Sequence, residues 1–205
     1  MGGPVTIAVT GPFASGKSTL VRSLGELPDT ETASADEIVH HLLENDRQAI
    51  SRIVERFGVD VRAAEGIDRK ALGREVFADA EALRDLEEIL HPLVRTETDR
   101  RIEASDAALF VAEIPLLFET GRADDFDYTI AVTVPEERRR VWAEERGVEE
   151  AALRAIEARQ LTGEEKAERA DLVVQNDGDL DKLREQAEGL GRKILGERGA
   201  DDHLR

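Results

Sequence analysis

Short apolar runs and amphipathic stretches alternate along the chain. Four runs rich in Val, Ile, Leu and Ala lie between turn residues and predict buried strands at residues 5–10, 107–112, 128–134 and 171–175. The stretches between them carry apolar residues three and four positions apart, which predicts helices. Strands that alternate with helices indicate a parallel sheet covered on both faces, so we expect a three-layer α/β fold.

Residues 37–104 break this alternation, because their pattern is helical throughout. Ser34 and Glu37 have the spacing of a capping box, Gly58 ends a second helix, and Asp68 can cap a third. Pro92 is expected to kink or restart a fourth helix. An inserted helical segment of this kind usually frames a second substrate, so the sequence predicts a helical substrate lobe.

The remaining residues form one domain around that lobe. The predicted core consists of residues 1–36, 105–140 and 171–196, with a closing helix from Leu180 to Leu195. The charged helical stretch at 140–170 has the character of a lid, and residues 197–205 are expected to form a polar, frayed tail.

Composition excludes several functional classes. The chain of 205 residues carries 28 basic and 45 acidic residues, a formal net charge of −17, and no cysteine. This balance argues against a general nucleic-acid binder and against polybasic attachment to lipid. The missing cysteines exclude disulfides and thiolate metal sites. With no basic leader and no long apolar run, we expect a cytoplasmic protein without membrane association. We also expect a monomer or a weak homo-oligomer.

A phosphate-binding motif follows the first predicted strand. Gly11 to Ser18 reads G-x-x-x-x-G-K-S and precedes a predicted helix, which is the context that this motif requires. Its backbone amides and the helix dipole together attract anions. Lys17 can reach the β- and γ-phosphates of a nucleotide, and the Ser18 hydroxyl can bind Mg²⁺. The motif therefore predicts a site for a nucleoside triphosphate with Mg²⁺.

The sequence signals for the molecule that accepts the phosphate are less specific than the phosphate-binding motif. An Asn-Lys-x-Asp motif for guanine is absent, which argues against a GTPase. Glu113 ends an apolar run, as the acid of a large ATPase does, but the following Ile114–Glu119 is more typical of a loop that lines a substrate. Asp36 could orient an acceptor hydroxyl, take its proton and hold a metal-bound water, or it could simply complement the dipole of a helix. Together these features favour a small-molecule kinase.

Several segments, in this order, resemble the dephospho-CoA kinase family over nearly the whole chain. The Leu-His-Pro-Leu and Pro-Leu-Leu-Phe-Glu segments are far more specific than the phosphate loop. The matching segments are Thr10–Thr19, Ala35–Val39, Ile53–Gly58, Ile67–Leu72, Leu90–Leu93, Ile114–Glu119 and Ala170–Gly178. The resemblance implies transfer of the γ-phosphoryl group of ATP, with Mg²⁺, to the ribose 3′-hydroxyl of dephospho-CoA.

The resemblance also implies site residues. Asp36 matches the catalytic acid of the family and would act with Lys17, and Asp36 could reach the metal through water. The ATP-binding residues would be Gly11, Ala14, Ser15, Gly16, Lys17, Ser18 and Thr19, with Arg146 of the lid and Asn176 and Gly178 near the adenine. The dephospho-CoA site would use Arg69, His91, Pro115, Leu116, Leu117 and Glu119.

The chain departs from the family pattern at Pro12, Ala14, Ser34, Trp142 and Gly163. Pro12 removes an amide donor from the phosphate loop, and Ala14 stands where glycine is usual. Trp142 replaces a common lid arginine, for which Arg139 or Arg140 can substitute. Trp142 and Tyr128 are expected to pack rather than to stack on a base. Two alternatives stay open: another P-loop kinase for a nucleoside or small metabolite, and a nucleotide-binding regulatory module.

Overall fold

A computed structural model describes the backbone of residues 3–201 and the side chains of residues 3–76 and 79–196. The chain divides into two compact units: unit 1 comprises residues 1–33 and 105–205, and unit 2 comprises residues 34–104. None of the helices in the described part is both long enough and apolar enough to span a bilayer.

In chain order, the strands are β1 (Val5–Thr10), β2 (Thr30–Ser34), β3 (Leu109–Glu113), β4 (Tyr128–Thr133) and β5 (Leu172–Gln175). The α-helices are α1 (Lys17–Gly25), α2 (Ala35–Asn45), α3 (Arg47–Phe57), α4 (Arg69–Ala78), α5 (Ala80–Ala104), α6 (Glu136–Glu145), α7 (Glu150–Glu157), α8 (Gly163–Arg169) and α9 (Leu180–Asp201). Short 3₁₀ turns lie at Val59–Val61 and Ala123–Asp125.

Unit 1 is built on a sheet with the strand order β2-β3-β1-β4-β5. β1 is central and pairs in parallel with β3 and β4, so that Ile7 lies opposite both Val111 and Tyr128. All six residues of β1 are buried, because a central strand with helices on both sides has no solvent face. Helices α1 and α9 pack together over a core that includes Leu20, Leu24 and Leu183. The predicted three-layer α/β fold is confirmed.

Unit 2 is a helical cluster around the apolar positions that the periodicity predicted. Its buried residues include Ile38, Leu42, Ile50, Ile53, Leu72, Val76, Ile89 and Leu90. Two aspartates cap helices within it. The Asp46 carboxylate accepts a hydrogen bond from the Ala49 amide at 2.7 Å at the start of α3, and Asp68 accepts from the Lys70 and Ala71 amides at the start of α4. Gly58 ends α3, as predicted.

Four details differ from the predictions. Strand β2 was not predicted, because its sequence TETAS is polar and only one of its five residues, Ala33, is buried. Ser34 precedes α2 in an extended conformation but its side chain makes no capping hydrogen bond. α5 continues through Pro92, so the helix does not restart there, and Ile89, Leu90 and Val94 hold both sides of the proline in the core.

The fourth difference concerns the end of the chain. The predicted closing helix is longer than expected, because α9 continues past Gly196 to Asp201. The first part of the expected tail is therefore helical. Residues 202–205 of that tail, like the first two residues of the chain, lie outside the described residues.

Candidate active site

The phosphate loop joins β1 to α1 at residues 11–16. Gly16 stands directly before α1 with a φ of 93°, in the left-handed region. A Cβ at Gly16 would lie 2.1 Å from the Asn176 side-chain nitrogen, so only glycine fits. The first amides of α1 have no partner within the helix and, with the helix dipole, they create positive potential at the end of the loop. This geometry suits a phosphate group.

The middle of the loop is covered by helices α6 and α7, which belong to the predicted lid. Ala14, where glycine is usual in the family, has a φ of 58° and is only 3% exposed. It packs with Ala143 and Leu153 of the lid, and Phe13 joins the same cluster. A left-handed alanine costs roughly 1–2 kcal/mol, which the apolar contacts of its Cβ offset.

Two side chains of the motif, those of Lys17 and Ser18, make hydrogen bonds within the site. The Lys17 ammonium is nearly buried and donates a hydrogen bond to the Pro12 carbonyl at 2.9 Å. The Ser18 hydroxyl donates to the Glu113 carboxylate at 3.0 Å. Glu113 ends β3, next to β1, which brings an acid to the phosphate loop. Its position at the end of an apolar run was the available signal, but the sequence reasoning set it aside.

The Ser18 and Glu113 oxygens fit Mg²⁺, which prefers hard oxygen ligands and usually takes only one or two from protein beside those of phosphates. The described residues contain no cluster of three or more His, Asp or Glu side chains that could hold a metal by themselves.

Asn176 braces the phosphate loop from the end of β5. Its side-chain amide donates to the Ser15 carbonyl at 2.9 Å, and its side-chain oxygen accepts from the Gly178 amide at 3.0 Å. Asn176 is only 5% exposed. Both polar atoms of this side chain therefore make hydrogen bonds within the fold, through which Asn176 supports the loop.

A cavity of about 310 Å³ opens beside the loop, within unit 1. It brings together five predicted ATP-binding residues: Gly16, Thr19, Arg146, Asn176 and Gly178. Trp142 lines the same cavity while also packing against the cluster around Ala14. The Arg146 guanidinium lies 6.0 Å from the centroid of the Phe13 ring, which links the lid to the loop. Tyr128 packs on the core of unit 1, as expected.

The two arginines that could replace the missing lid arginine are engaged by glutamates of the lid. Arg139 forms an ion pair with Glu157, and Arg140 donates to the Glu136 carboxylate at 2.6 Å. One terminal nitrogen of Arg139 is buried without a hydrogen-bond partner. Both residues thus contribute to the internal structure of the lid.

A buried ion pair ties α8 to the sheet. The Lys166 side chain has no exposed surface, and its ammonium donates to the Pro115 carbonyl at 2.7 Å and lies 2.8 Å from the Glu119 carboxylate. A third contact reaches the Thr10 hydroxyl at 3.3 Å. Burial lowers the pKa of the Lys166 ammonium, and Glu119 opposes this effect. The Glu119 carboxylate also accepts from the Leu161 amide at 2.7 Å.

This network changes the picture of the predicted substrate loop. Glu119 and the Pro115 carbonyl are engaged by Lys166, and Leu117 has no exposed surface, so it is a core residue rather than part of a ligand-facing surface. Leu116 is partly exposed, and its carbonyl accepts from the Thr120 hydroxyl at 2.7 Å.

A capping box does occur in the chain, but at Thr162 and Glu165 at the start of α8.

Two of the departures from the family pattern are neighbours. A Cβ at Gly163 would lie 3.6 Å from the Pro12 ring, at ordinary contact distance. A side chain at position 163 would thus start against Pro12. The Gln160 side chain accepts from the Phe13 amide at 3.2 Å close by, so the lid contacts the loop through hydrogen bonds as well as apolar groups.

The remaining predicted residues belong to unit 2. Asp36 is exposed in the first turn of α2, two residues after β2 ends, and Arg69 is exposed as the first residue of α4. Within unit 2, neither has an ionic or hydrogen-bonded partner among the described side chains. The His91 side chain is 44% exposed and lies 4.0 Å from the Glu87 carboxylate. Burial of the rest of the imidazole lowers the pKa of His91.

A parallel five-stranded sheet, a G-x-x-x-x-G-K-S loop between its central strand and α1, and lid helices packed on that loop define a P-loop kinase. The sequence model of the family described as Dephospho-CoA kinase matches residues 5–182. The chain therefore belongs to the dephospho-CoA kinase family, and the resemblance seen in the sequence is confirmed.

Individual relatives agree with this assignment. The chain is 38% identical over 201 residues to a dephospho-CoA kinase of Symbiobacterium thermophilum, covering 95% of this chain and 83% of the relative. The crystal structure of TT1252 from Thermus thermophilus matches with a TM-score of 0.75 and 32% identity, over 94% and 99% of the two chains. A dephospho-CoA kinase from Campylobacter jejuni matches with a TM-score of 0.68 and 28% identity, over 94% and 98%.

Proposed function

We propose that this kinase transfers the γ-phosphoryl group of ATP to the ribose 3′-hydroxyl of dephospho-CoA, giving coenzyme A and ADP. The observation that carries the proposal is the phosphate loop of a chain in this family, with Lys17 and the Ser18–Glu113 pair at its end. The predicted cytoplasmic location and monomeric or weakly oligomeric state stay predictions.

Unit 1 would bind the triphosphate and stabilise the charge that develops during transfer. The loop amides and the start of α1 hold phosphate oxygens, and the Lys17 ammonium exchanges the Pro12 carbonyl for the β- and γ-phosphates. Asn176 keeps the loop in shape through the Ser15 carbonyl. In phosphoryl transfer most of the catalysis comes from such positioning and electrostatic stabilisation.

Ser18 and Glu113 would hold the Mg²⁺ of Mg-ATP. Ser18 would bind the ion directly, and Glu113 would act indirectly, either through its hydrogen bond with the Ser18 hydroxyl or through a water molecule. When bound, the metal neutralises charge on the β- and γ-phosphates. The Ser18 hydroxyl donates to Glu113 and keeps a lone pair for a cation, so the pair is suited to this role.

Asp36 of unit 2 would orient the 3′-hydroxyl and accept its proton. Its carboxylate is exposed and has no partner within unit 2, so it is available to an acceptor group. Arg69 would contribute charge toward the anionic substrate, and His91 a hydrogen bond. The residues of the loop after β3 would act mainly by supporting the site, because Glu119 is held by Lys166.

The assignment of Asp36 can be tested by Asp36→Asn, with Glu37→Gln as the matched control from the same exposed turn. Removal of a general base typically costs 10²–10⁴-fold, so we expect kcat to fall by roughly that factor while the KM for ATP changes little. Glu37→Gln should keep near-normal turnover. An Asp36→Asn enzyme with near-normal kcat would show that Asp36 is not the base.

The reaction itself is tested by supplying Mg-ATP with dephospho-CoA, adenosine and a panel of nucleosides, and by measuring ADP and each phosphorylated product. Coenzyme A formed only from dephospho-CoA is the expected result. A phosphorylated nucleoside as the main product would identify a different P-loop kinase. ATP binding without any product would identify a regulatory module.

A further inference from the structure

We propose that Trp142 is the residue on which the nucleotide base stacks, so that an aromatic face supplies much of the affinity for the base. The proposal rests on the nucleotide site described above. It also revises the sequence expectation that Trp142 only packs, and it gives a function to the side chain that replaces the usual lid arginine.

The first argument is the place of Trp142 in the cavity. The cavity of about 310 Å³ starts at Gly16 and Thr19, where the phosphate loop becomes α1, and Trp142 of α6 forms part of its wall. Its size is at the lower end of the range for small-molecule sites. A nucleotide whose phosphates lie in the loop would thus have room to place its base beside the indole.

The second argument is that two polar side chains of the cavity lining already make hydrogen bonds within the protein. Asn176 uses both polar atoms on the Ser15 carbonyl and the Gly178 amide. The Asp179 carboxylate accepts from the amides of Asp181 and Lys182, at 3.0 and 3.1 Å, at the start of α9. These bonds use part of the hydrogen-bonding capacity of both side chains, and the indole of Trp142 is the aromatic ring in the cavity lining.

The third argument is that neighbouring residues hold the indole in position. The Arg138 guanidinium, one turn earlier on α6, lies 5.9 Å from the centroid of the Trp142 ring. It also lies close against Gly178, where a Cβ would come within 1.9 Å of the guanidinium. On another side the indole packs against the cluster of Ala14 and Ala143. A preorganised ring loses little entropy when a base stacks on it.

The experiment compares two ligands that share the phosphates but not the base. Calorimetric titration with ATP and with inorganic tripolyphosphate is carried out on the wild type, Trp142→Leu and Trp142→Phe. Val141→Ala is the control, since Val141 is the adjacent residue of α6 and is 51% exposed. Trp142 is the only tryptophan in the chain, so its fluorescence in the wild type reports the two ligands separately.

We expect Trp142→Leu to weaken ATP binding by about 5- to 150-fold, the usual effect of removing a stacking side chain, and to leave tripolyphosphate binding unchanged. Trp142→Phe should lie between Trp142→Leu and the wild type, and Val141→Ala should match the wild type. ATP should quench the wild-type fluorescence more strongly than tripolyphosphate does. Thermal unfolding of each variant shows that the fold is kept.

Two results would overturn the proposal. Equal weakening of both ligands by Trp142→Leu would mean that the indole supports the phosphate loop through Ala14 instead of contacting a base. Unchanged ATP binding would mean that the base lies elsewhere. Coenzyme A formation by the same wild-type preparation tests the proposed reaction separately. The enzyme can make coenzyme A even if Trp142 does not stack on the base, and Trp142 can stack on a base even if the enzyme makes no coenzyme A.

Discussion

The polar contacts of the two units differ in how far apart in the chain the contacting residues lie. In unit 1 several buried or partly buried contacts join residues far apart in the chain: Asn176 and Ser15 are 161 residues apart, Lys166 and Thr10 are 156 apart, and Ser18 and Glu113 are 95 apart. In unit 2 they lie mostly near the surface and within one helix, as with Asp46 and Ala49 or Glu97 and Arg100.

This difference separates two ways of building a site. The nucleotide side of the enzyme depends on buried hydrogen bonds that hold the phosphate loop in place, so a single polar substitution there should disturb both stability and ligand binding. Unit 2 is stabilised by its apolar cluster, and its polar groups mainly stabilise individual helices. Substitutions there should change stability without changing the affinity for ATP.

The largest effect is expected at the buried pair of Lys166 and Glu119. Lys166→Met leaves a carboxylate that is only 16% exposed without its cation, which should lower the free energy of unfolding by about 3–5 kcal/mol in urea titrations. The double variant Lys166→Met/Glu119→Leu should recover much of this loss, because it removes the stranded charge. If the single and double variants were equally unstable, the contrast between the units would not depend on buried charge.

A smaller effect is expected at Asn176. Asn176→Ala leaves the Ser15 carbonyl and the Gly178 amide without their partner, which should cost about 1–3 kcal/mol of stability and raise the KM for ATP. Gln175→Ala, at the exposed neighbouring position, serves as the control. A normal KM for ATP in Asn176→Ala would show that the brace is not needed to shape the loop.

The matching substitution in unit 2 is Asp46→Ala, which removes the cap of α3. Loss of such a cap usually costs about 1 kcal/mol, and we expect the KM for ATP to stay unchanged. Asp46→Ser should restore most of the stability, since serine also caps helices. An increased KM for ATP in Asp46→Ala would contradict the separation of the two units drawn above.

The smallest effect concerns pH. Hydrogen bonds from Arg100 and Arg101 hold the pKa of Glu97 at about 2, below its usual value of 4.5. The folded protein therefore keeps this carboxylate charged at pH values where the unfolded chain protonates it, so its stabilisation is present above pH 4.5 and is lost as the pH falls toward 2. Glu97→Gln should cost less than about 1 kcal/mol at pH 7. The difference from wild type should shrink as the pH falls from 4.5 and disappear only below pH 2, as measured by urea unfolding at several pH values.

Local patterns in the sequence predicted the local parts of the structure. The run Val5–Thr10 predicted β1, the glycine spacing predicted the phosphate loop, and the helical periodicity predicted the apolar cluster of unit 2. Each of these predictions used residues close together in the chain, because strand runs, loop motifs and helical periodicity are local patterns.

The parts that sequence reasoning missed depend on topology. Glu113 meets Ser18 because β3 lies beside β1, and nothing in the sequence around Glu113 specifies this neighbour. Lys166 stands in a charged stretch typical of an exposed helix, yet it is completely buried against Glu119. The spacing of a capping box occurs at Ser34 and again at Thr162, and only the second forms, so the motif by itself does not decide where a helix is capped.

The polar strand β2 has a consequence for how the protein behaves at high concentration. It forms one edge of the sheet, where unpaired backbone groups could recruit a strand from another molecule. Its exposed Glu31 and Thr32 place a charge and a hydroxyl on that edge. The polar composition of β2, which kept it from being predicted as a strand, thus protects the sheet from aggregation through this edge.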